Sequence, residues 1–178
     1  ILLEKNWLLE GQKNNLEIKT TLFFISQNSN KSSDKKFSLN IPASTAFGTG
    51  SHSSTFLVIK AIEYLNKYKK FRNVLDIGTG SGILSLVMGK LFKIKIVSSD
   101  FDNESRINYC RNKRENEINN LFFIKAYSLR HYEFKSKRFD LVVANILLKP
   151  LIQILPLLKT HIRKKGYLIL SGILENQL

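Results

Sequence analysis

Three stretches of this chain place acids, glycines and an amide side chain where an α/β protein would hold a ligand. The first is Asp76–Ile77–Gly78–Thr79–Gly80–Ser81–Gly82, set between a short apolar run and a longer run with helical spacing. Glycines permit positive φ and let the backbone come close to a ligand. The N–H groups that open the following helix face whatever binds there. A dinucleotide fingerprint requires G-x-G-x-x-G, and its last glycine would fall where the chain has Ile83. The spacing is G-x-G-x-G with an acid in front. Asp76 can hold an ammonium, directly or through water, while the loop amides face a carboxylate. A ligand with both ends is an amino acid. The plainer alternative is a tight strand-to-helix turn with no ligand.

About twenty residues further on, a second apolar run ends at Asp100–Phe101–Asp102. An acid at that place can accept hydrogen bonds from ribose hydroxyls. It can equally cap the next helix. Asp102 suits the cap and Asp100 the ribose. Asp76 with its glycine turn and Asp100 one strand over describe a nucleoside carrying an amino acid, and S-adenosylmethionine has that shape. The third stretch, Phe139–Asp140–Leu141–Val142–Val143–Ala144–Asn145, brings Asn145 to the end of a buried strand. Its side chain offers an acceptor and a donor. It can orient the N–H bonds of an amine that attacks a sulfonium methyl, where catalysis is mostly positioning; alternatively it holds the cofactor or forms a turn. Ahead of these stretches, Ala46–Phe47–Gly48–Thr49–Gly50–Ser51–His52 reads as a loop that can fold over a ligand, with Thr55 at the helix start facing it. His52 is a candidate general base. His131 and His161 read as structural, and no His, Cys or acid cluster has metal-ligand spacing, so no metal is expected.

These residues need a scaffold that gathers strand ends. Helical spacing runs over Ser54–Asn66 (Phe56, Ile59, Ile62, Leu65, with Leu57 beside them), Ser81–Leu91 and Asn103–Glu117. Strands are expected at Asn73–Ile77, Ile94–Ser99, Leu121–Ile124, Phe139–Ala144 and Tyr167–Leu170. Between the last two lies a helix over Pro150–Ile162, with Pro150 in its first turn, a kink at Pro156, and Gly166 placed to end the segment. Strand alternating with helix predicts α/β architecture: a doubly wound, mainly parallel sheet covered on both faces. Ligands then sit beyond the carboxyl ends of the strands. Upstream, Leu16–Ile25 reads as a strand and residues 26–38 as a loop or linker.

Composition narrows the class. A chain of 178 residues with 43% hydrophobic and 24% charged residues suits one α/β domain with a sizeable core. The single cysteine, Cys110, cannot form an internal disulfide and fits a reducing compartment. No apolar run reaches the ~18 residues of a membrane span, so no membrane is expected and the location is read as cytoplasmic. The net charge of +14 invites a nucleic-acid reading. The lysines, however, are scattered among Asn, Ile and Phe, and no aromatic-plus-basic RNA signature stands out; direct nucleic-acid binding is not expected.

Taken together, the loop Ala46–His52 with Thr55, the run Asp76–Leu84, Asp100–Asp102 with Asn112 and Asn116, Ala144–Leu147 with Pro150–Leu151, and Ser171–Leu174 with Gln177 resemble the ribosomal protein L11 methyltransferase (PrmA) family. The resemblance runs from about Trp7 to the last residue. It implies a class I methyltransferase that uses S-adenosyl-L-methionine to methylate amines, the N-terminal amine and lysines, of a large-subunit ribosomal protein. It implies cofactor contacts at Thr55, Gly78, Asp100 and Asn145, alongside the cradle of Asp76, Gly80 and Gly82. The pattern departs from the family before the glycine loop (Ile41–Thr45), at Ser53–Ser54 and at Asn103. It further implies that residues 1–40 are a linker and the edge of an N-terminal substrate-recognition domain, and that residues 41–178 are the catalytic domain without its last strands. A monomer is expected. The alternatives are a methyltransferase of RNA or a small molecule, and a fragment that binds cofactor without activity.

Overall fold

The computed structural model describes residues 17–27, 34–42 and 53–172. A small sheet comes first: β1 (Glu17–Lys19), β2 (Phe23–Ser26) and β3 (Phe37–Asn40), in the order β1-β2-β3. Then follow α1 (Ser53–Tyr68), β4 (Val74–Ile77), α2 (Ile83–Phe92), β5 (Ile96–Asp100), α3 (Asn103–Glu115), β6 (Leu121–Lys125), a short 3-10 turn at Tyr132–Phe134, β7 (Phe139–Asn145), α4 (Leu148–His161) and β8 (Ile162–Ser171). The last five strands form one parallel sheet in the order β6-β5-β4-β7-β8. The chain winds outward from β4 to β6, then returns to lay β7 on the other side of β4. This reversal leaves a crevice beyond the carboxyl ends of β4 and β7, where open α/β sheets hold ligands. The expected doubly wound architecture is present.

Both faces of the sheet are covered, which is why its central strands β4 and β7 are mostly apolar, as in Leu141–Ala144. Val74, Ile96, Leu141 and Val143 pack on the α1–α2 side with Val58, Ile59, Ile62, Leu86, Val87 and Met88. The alternate residues Leu75, Ile77, Val97, Val142 and Ala144 pack on the other side with Leu151, Ile154 and Leu158 of α4 and with Phe134. Each fully buried aliphatic side chain contributes roughly 1.5–3 kcal/mol of transfer free energy. Asp76 shares the face of Val74, under α2, and is 1% exposed.

Several expectations need correction. The expected strand Leu16–Ile25 is, over its described residues from Glu17 on, not one strand but a hairpin whose register pairs Glu17 with Ser26 and Lys19 with Phe24. The chain turns at Thr21–Leu22, and the turn is closed by Thr20 N–H to Phe23 O at 2.9 Å. Phe37 and Ser38, expected in a loop, start β3, which runs parallel to β2. The buried stripe of α1 is Thr55, Val58, Ile59 and Ile62, with Glu63. Phe56 and Leu57, expected on that stripe, are exposed. Gly166 does not end a segment. Helix α4 runs directly into β8, and Gly166 lies inside that strand beside Lys165, whose φ is 65°, near a register shift against Phe139–Leu141. Pro150 is the third residue of α4, and Pro156 lies within the helix. No helix among the described residues is long and apolar enough to cross a membrane.

Candidate active site

The glycine turn joins β4 to α2 at the carboxyl edge of the sheet. Gly78, Gly80 and Gly82 all have positive φ, as a bend this tight requires. Two of them also have packing reasons. A Cβ on Gly78 would lie 2.2 Å from Ile146 Cγ2, and one on Gly82 would lie 2.7 Å from the Tyr109 ring. The amides expected to face a ligand carboxylate are otherwise engaged. Gly78 and Thr79 donate to Ser99 O at 2.8 and 3.1 Å, and Gly82 donates to Thr79 O at 2.9 Å. Gly80 donates to Asp100 Oδ2 at 2.9 Å. The turn is therefore stitched to the end of β5, and close backbone approach, rather than a ring of open amides, is what it offers. The opening of α2 keeps its anion-facing character, because Gly82 at the N-cap position has no side chain to satisfy the first-turn N–H groups.

Asp100 stands beside the turn at the end of β5. Its Oδ1 accepts from Asp102 N–H at 3.1 Å, and its Oδ2 from Gly80. Each carboxylate oxygen has a second lone pair, so two acceptor directions remain for hydroxyls. Asp102 caps α3: its side chain accepts from Ser105 N–H at 2.8 Å. That hydrogen bond holds the Asp102 carboxyl below the usual range. The division of labour between the two acids matches the expectation for the cap.

Asp76 Oδ2 accepts from Thr79 Oγ1 at 2.7 Å and from Ser85 Oγ at 2.5 Å. Its Oδ1 is buried with no hydrogen-bond partner. Burial pushes the Asp76 carboxyl up to about 6; the Ser85 and Thr79 hydroxyls pull it down, and the nearby Asp100 raises it further. A buried acceptor left open is costly.

Thr55 and Asn145, ninety residues apart, meet at the crevice. Asn145 Nδ2 donates to Thr55 Oγ1 at 3.2 Å. Thr55 is buried on the first turn of α1, and Asn145 ends β7 opposite Ser171 of β8. The next residue, Ile146, is wedged between two glycines. Its side chain occupies the space over Gly78, and its carbonyl oxygen would lie 1.9 Å from a Cβ on Gly172. Those two glycines fix the chain direction just past Asn145. The whole loop Ala46–His52, with His52, and the ending beyond Gly172, including Gln177, lie outside the described residues. Among the described residues, no group of three or more His, Cys, Asp and Glu could hold a metal ion.

Sequence reasoning missed the hydroxyls behind the site, Ser85, Ser98 and Tyr109, and named Asn112 only within the resemblance, with no role. Ser85 Oγ lies 2.7 Å from Ser98 Oγ, and Ser98 Oγ lies 2.9 Å from Tyr109 Oη. Asn112 Nδ2 donates to Ser81 O in the glycine turn at 2.8 Å. One signal was available: Ser98 is a hydroxyl inside a doubly covered strand, and it pairs in register with Asp76.

The strand order, the acid-flanked glycine turn and the second acid at the next strand end define a Rossmann-like methyltransferase fold. A 16S rRNA methyltransferase from T. Thermophilus, solved with AdoMet and guanosine, shares that fold with a TM-score of 0.60 at 20% identity, over 69% of this chain and 36% of its own. The ribosomal protein L11 methyltransferase (PrmA) family matches residues 2–178, and the chain belongs to it. Ribosomal protein L11 methyltransferase from Rhizobium leguminosarum bv. trifolii is 32% identical over 99% of the chain. The crystal structure of ribosomal protein L11 methylase from Lactobacillus delbrueckii subsp. bulgaricus superposes with a TM-score of 0.77 at 29% identity, covering 88% of this chain and 79% of that one. The chain spans 62% of the length of the Rhizobium relative.

Proposed function

We propose that this chain carries the catalytic part of an S-adenosyl-L-methionine-dependent N-methyltransferase acting on amines, the N-terminal amine and lysines, of ribosomal protein L11. The observation that carries this reading is the unpartnered Oδ1 of Asp76 at the switch point of the sheet, with Asp100 and the Thr55–Asn145 pair on the same edge. The residues present suit the cofactor. Asp76 Oδ1 is the acceptor for its ammonium, directly or through water, the opening of α2 faces its carboxylate, and Asp100 accepts from its ribose. When bound, the cofactor supplies an electrophilic methyl on sulfonium. The chain's own part is to position the amine. Asn145 has Nδ2 engaged with Thr55, so its carbonyl is the group left to accept an N–H from the incoming amine and turn the lone pair toward the methyl. An ammonium must lose its proton first, and His52 is the candidate base.

The same reading sets the boundary near residue 41, with residues 1–40 as linker and edge of a substrate-recognition domain. Packing of Ile18, Phe23 and Ile25 with Val58, Ile59 and Ile62 gives that edge a role as a brace for α1. A monomer working in the cytoplasm, with a protein and not a nucleic acid as substrate, completes the proposal. Labelled methyl transfer onto purified ribosomal protein L11, set against transfer onto ribosomal RNA, tests it. Label on the protein is expected, lost with Asn145→Ala; label on RNA alone overturns the substrate assignment. Calorimetric titration with S-adenosylmethionine tests the cofactor: Asp100→Ala should weaken binding, and Gly80→Val should abolish it.

A further inference from the structure

We propose that Tyr109 is a positioning residue for cofactor binding: through Ser98 and Ser85 its phenol fixes the protons around Asp76, so that Asp76 presents Oδ1 as a carboxylate to the cofactor's ammonium. The inference rests on the cofactor reading above and deepens it.

The hydroxyl protons can be assigned one by one. An ionised carboxylate only accepts, so Ser85, 2.5 Å from Asp76 Oδ2, must donate to it. Thr79 commits its proton to the same oxygen. Having given its single proton, Ser85 must accept from Ser98 at 2.7 Å, and Ser98 in turn from Tyr109 at 2.9 Å. The chain is thus Tyr109 to Ser98 to Ser85 to Asp76, each link pointing at Oδ2. All four residues are buried. Burial pushes the Tyr109 phenol well above its usual range, so it remains a donor at every working pH. The Tyr109 ring also lies directly against Gly82; one side chain supports both the turn and the acid that precedes it.

The charged and titratable neighbours are few. Asp100 on β5 and Tyr109 on α3 act on Asp76, and α2 contributes the Ser85 hydroxyl. Glu63 on α1 is occupied with Thr20 and Leu22, and Asp140 on β7 with the backbone of Arg72 and Asn73. No cation among these offsets the burial; the Ser85 and Thr79 hydroxyls, with a smaller share from the Ser85 backbone N–H, are what oppose it, and the hydroxyl chain feeds the Ser85 link. Removing its terminal donor should move the ionisation of Asp76 to higher pH.

Tyr109→Phe keeps the ring under Gly82 and removes only the donor. Binding of S-adenosylhomocysteine, measured by calorimetry between about pH 5 and 8, should then reach half its plateau affinity about one pH unit higher than in wild type. That is roughly a fivefold loss near pH 6, approaching tenfold near pH 5 and recovering to within about twofold at pH 8. Affinity that drops equally at every pH, or not at all, overturns the proposal. Ser98→Ala cuts the same chain with Tyr109 intact, and must reproduce the shift. The ligand-free protein gives an independent reading. The decline in denaturant stability as Asp76 ionises should extend to higher pH in Tyr109→Phe and be absent in Asp76→Asn; an unchanged profile rejects the hydroxyl chain. Wild-type protein that shows this profile yet binds no S-adenosylhomocysteine would instead overturn the cofactor reading, and with it Tyr109's role toward the ammonium.

Discussion

Glu63 and Asp76 are both sealed carboxylates, 2% and 1% exposed, and both use one oxygen heavily while the other has no partner. Glu63 Oε1 accepts from Thr20 Oγ1 and from Leu22 N–H, which closes the turn of the β1–β2 hairpin. Asp76 Oδ2 accepts from Thr79 and Ser85. The local pattern is the same and the setting is not. The partners of Glu63 belong to one turn of the small sheet, far along the chain from any strand end of the large one. Asp76 lies at the switch point, two residues before Gly78 opens the glycine turn, with hydroxyls behind it and an acid beside it. An open buried oxygen therefore marks a binding site only where the fold places it at a ligand edge; elsewhere it belongs to the scaffold.

Exchanging the two acids for uncharged residues should separate these roles. Glu63→Ala should cost about 3–5 kcal/mol of stability, since two hydrogen bonds to a charged group are lost and their donors are left buried. Cofactor affinity of the folded fraction should stay within about twofold of wild type. Urea denaturation and calorimetry on the same samples check both. A large loss of affinity with little loss of stability would erase the distinction drawn above.

Asp76 should show the opposite behaviour. Its folded-state pKa is raised to about 6, against an ordinary value of 3.8. A raised value means that the stabilising contribution is complete below about pH 4 and is lost as pH rises through about 6. The swing is on the order of 3 kcal/mol at most. Asp76→Asn should flatten that part of the stability profile, leave the protein no less stable at neutral pH, and weaken cofactor binding about tenfold or more. Denaturation curves from about pH 4.5 to 7.5 decide the first point and calorimetry the second.

Asn116 offers a smaller contrast within the scaffold. Its side-chain amide mimics a strand, accepting from Asn40 N–H at 2.8 Å and donating to Asn40 O at 2.7 Å. This pins β3 to the end of α3. Asn116→Ala should cost about 2 kcal/mol, again with affinity retained.

What could be read in advance follows from how local each signal is. The parallel sheet was legible because strands such as Leu141–Ala144 are apolar throughout and alternate with helices at short spacing. The Asp76 turn and Asp100 were legible because each lies at a strand end that its own neighbours define. The β1–β2 hairpin was not: Thr20–Thr21–Leu22 carries none of the glycine or asparagine of a two-residue turn, and the group that closes it arrives from Glu63, some forty residues later. The hydroxyl chain was hidden for the same reason. Asp76, Ser85, Ser98 and Tyr109 share no linear spacing, and only strand register and helix packing bring them together. The Thr55–Asn145 contact spans ninety residues; the residues were chosen by resemblance and by position, but their meeting is a fact of the fold.

That contact supports the smallest effect. Thr55→Val keeps the shape of a buried side chain and removes one hydroxyl. The hydrogen bond it accepts is 3.2 Å long and comes from a half-buried amide, so its loss should cost no more than about 1 kcal/mol. Cofactor affinity should fall only a fewfold, because Asp76 and Asp100 are untouched. The amine-orienting step depends on which way Asn145 turns, and an amide freed from Thr55 can rotate and present Nδ2 where a carbonyl is needed. Methyl transfer at saturating cofactor should therefore fall more than cofactor affinity does, by about five- to tenfold, a barrier change of about 1 kcal/mol. Equal losses in the two would place Asn145 with the cofactor-holding residues and take the amine away from it.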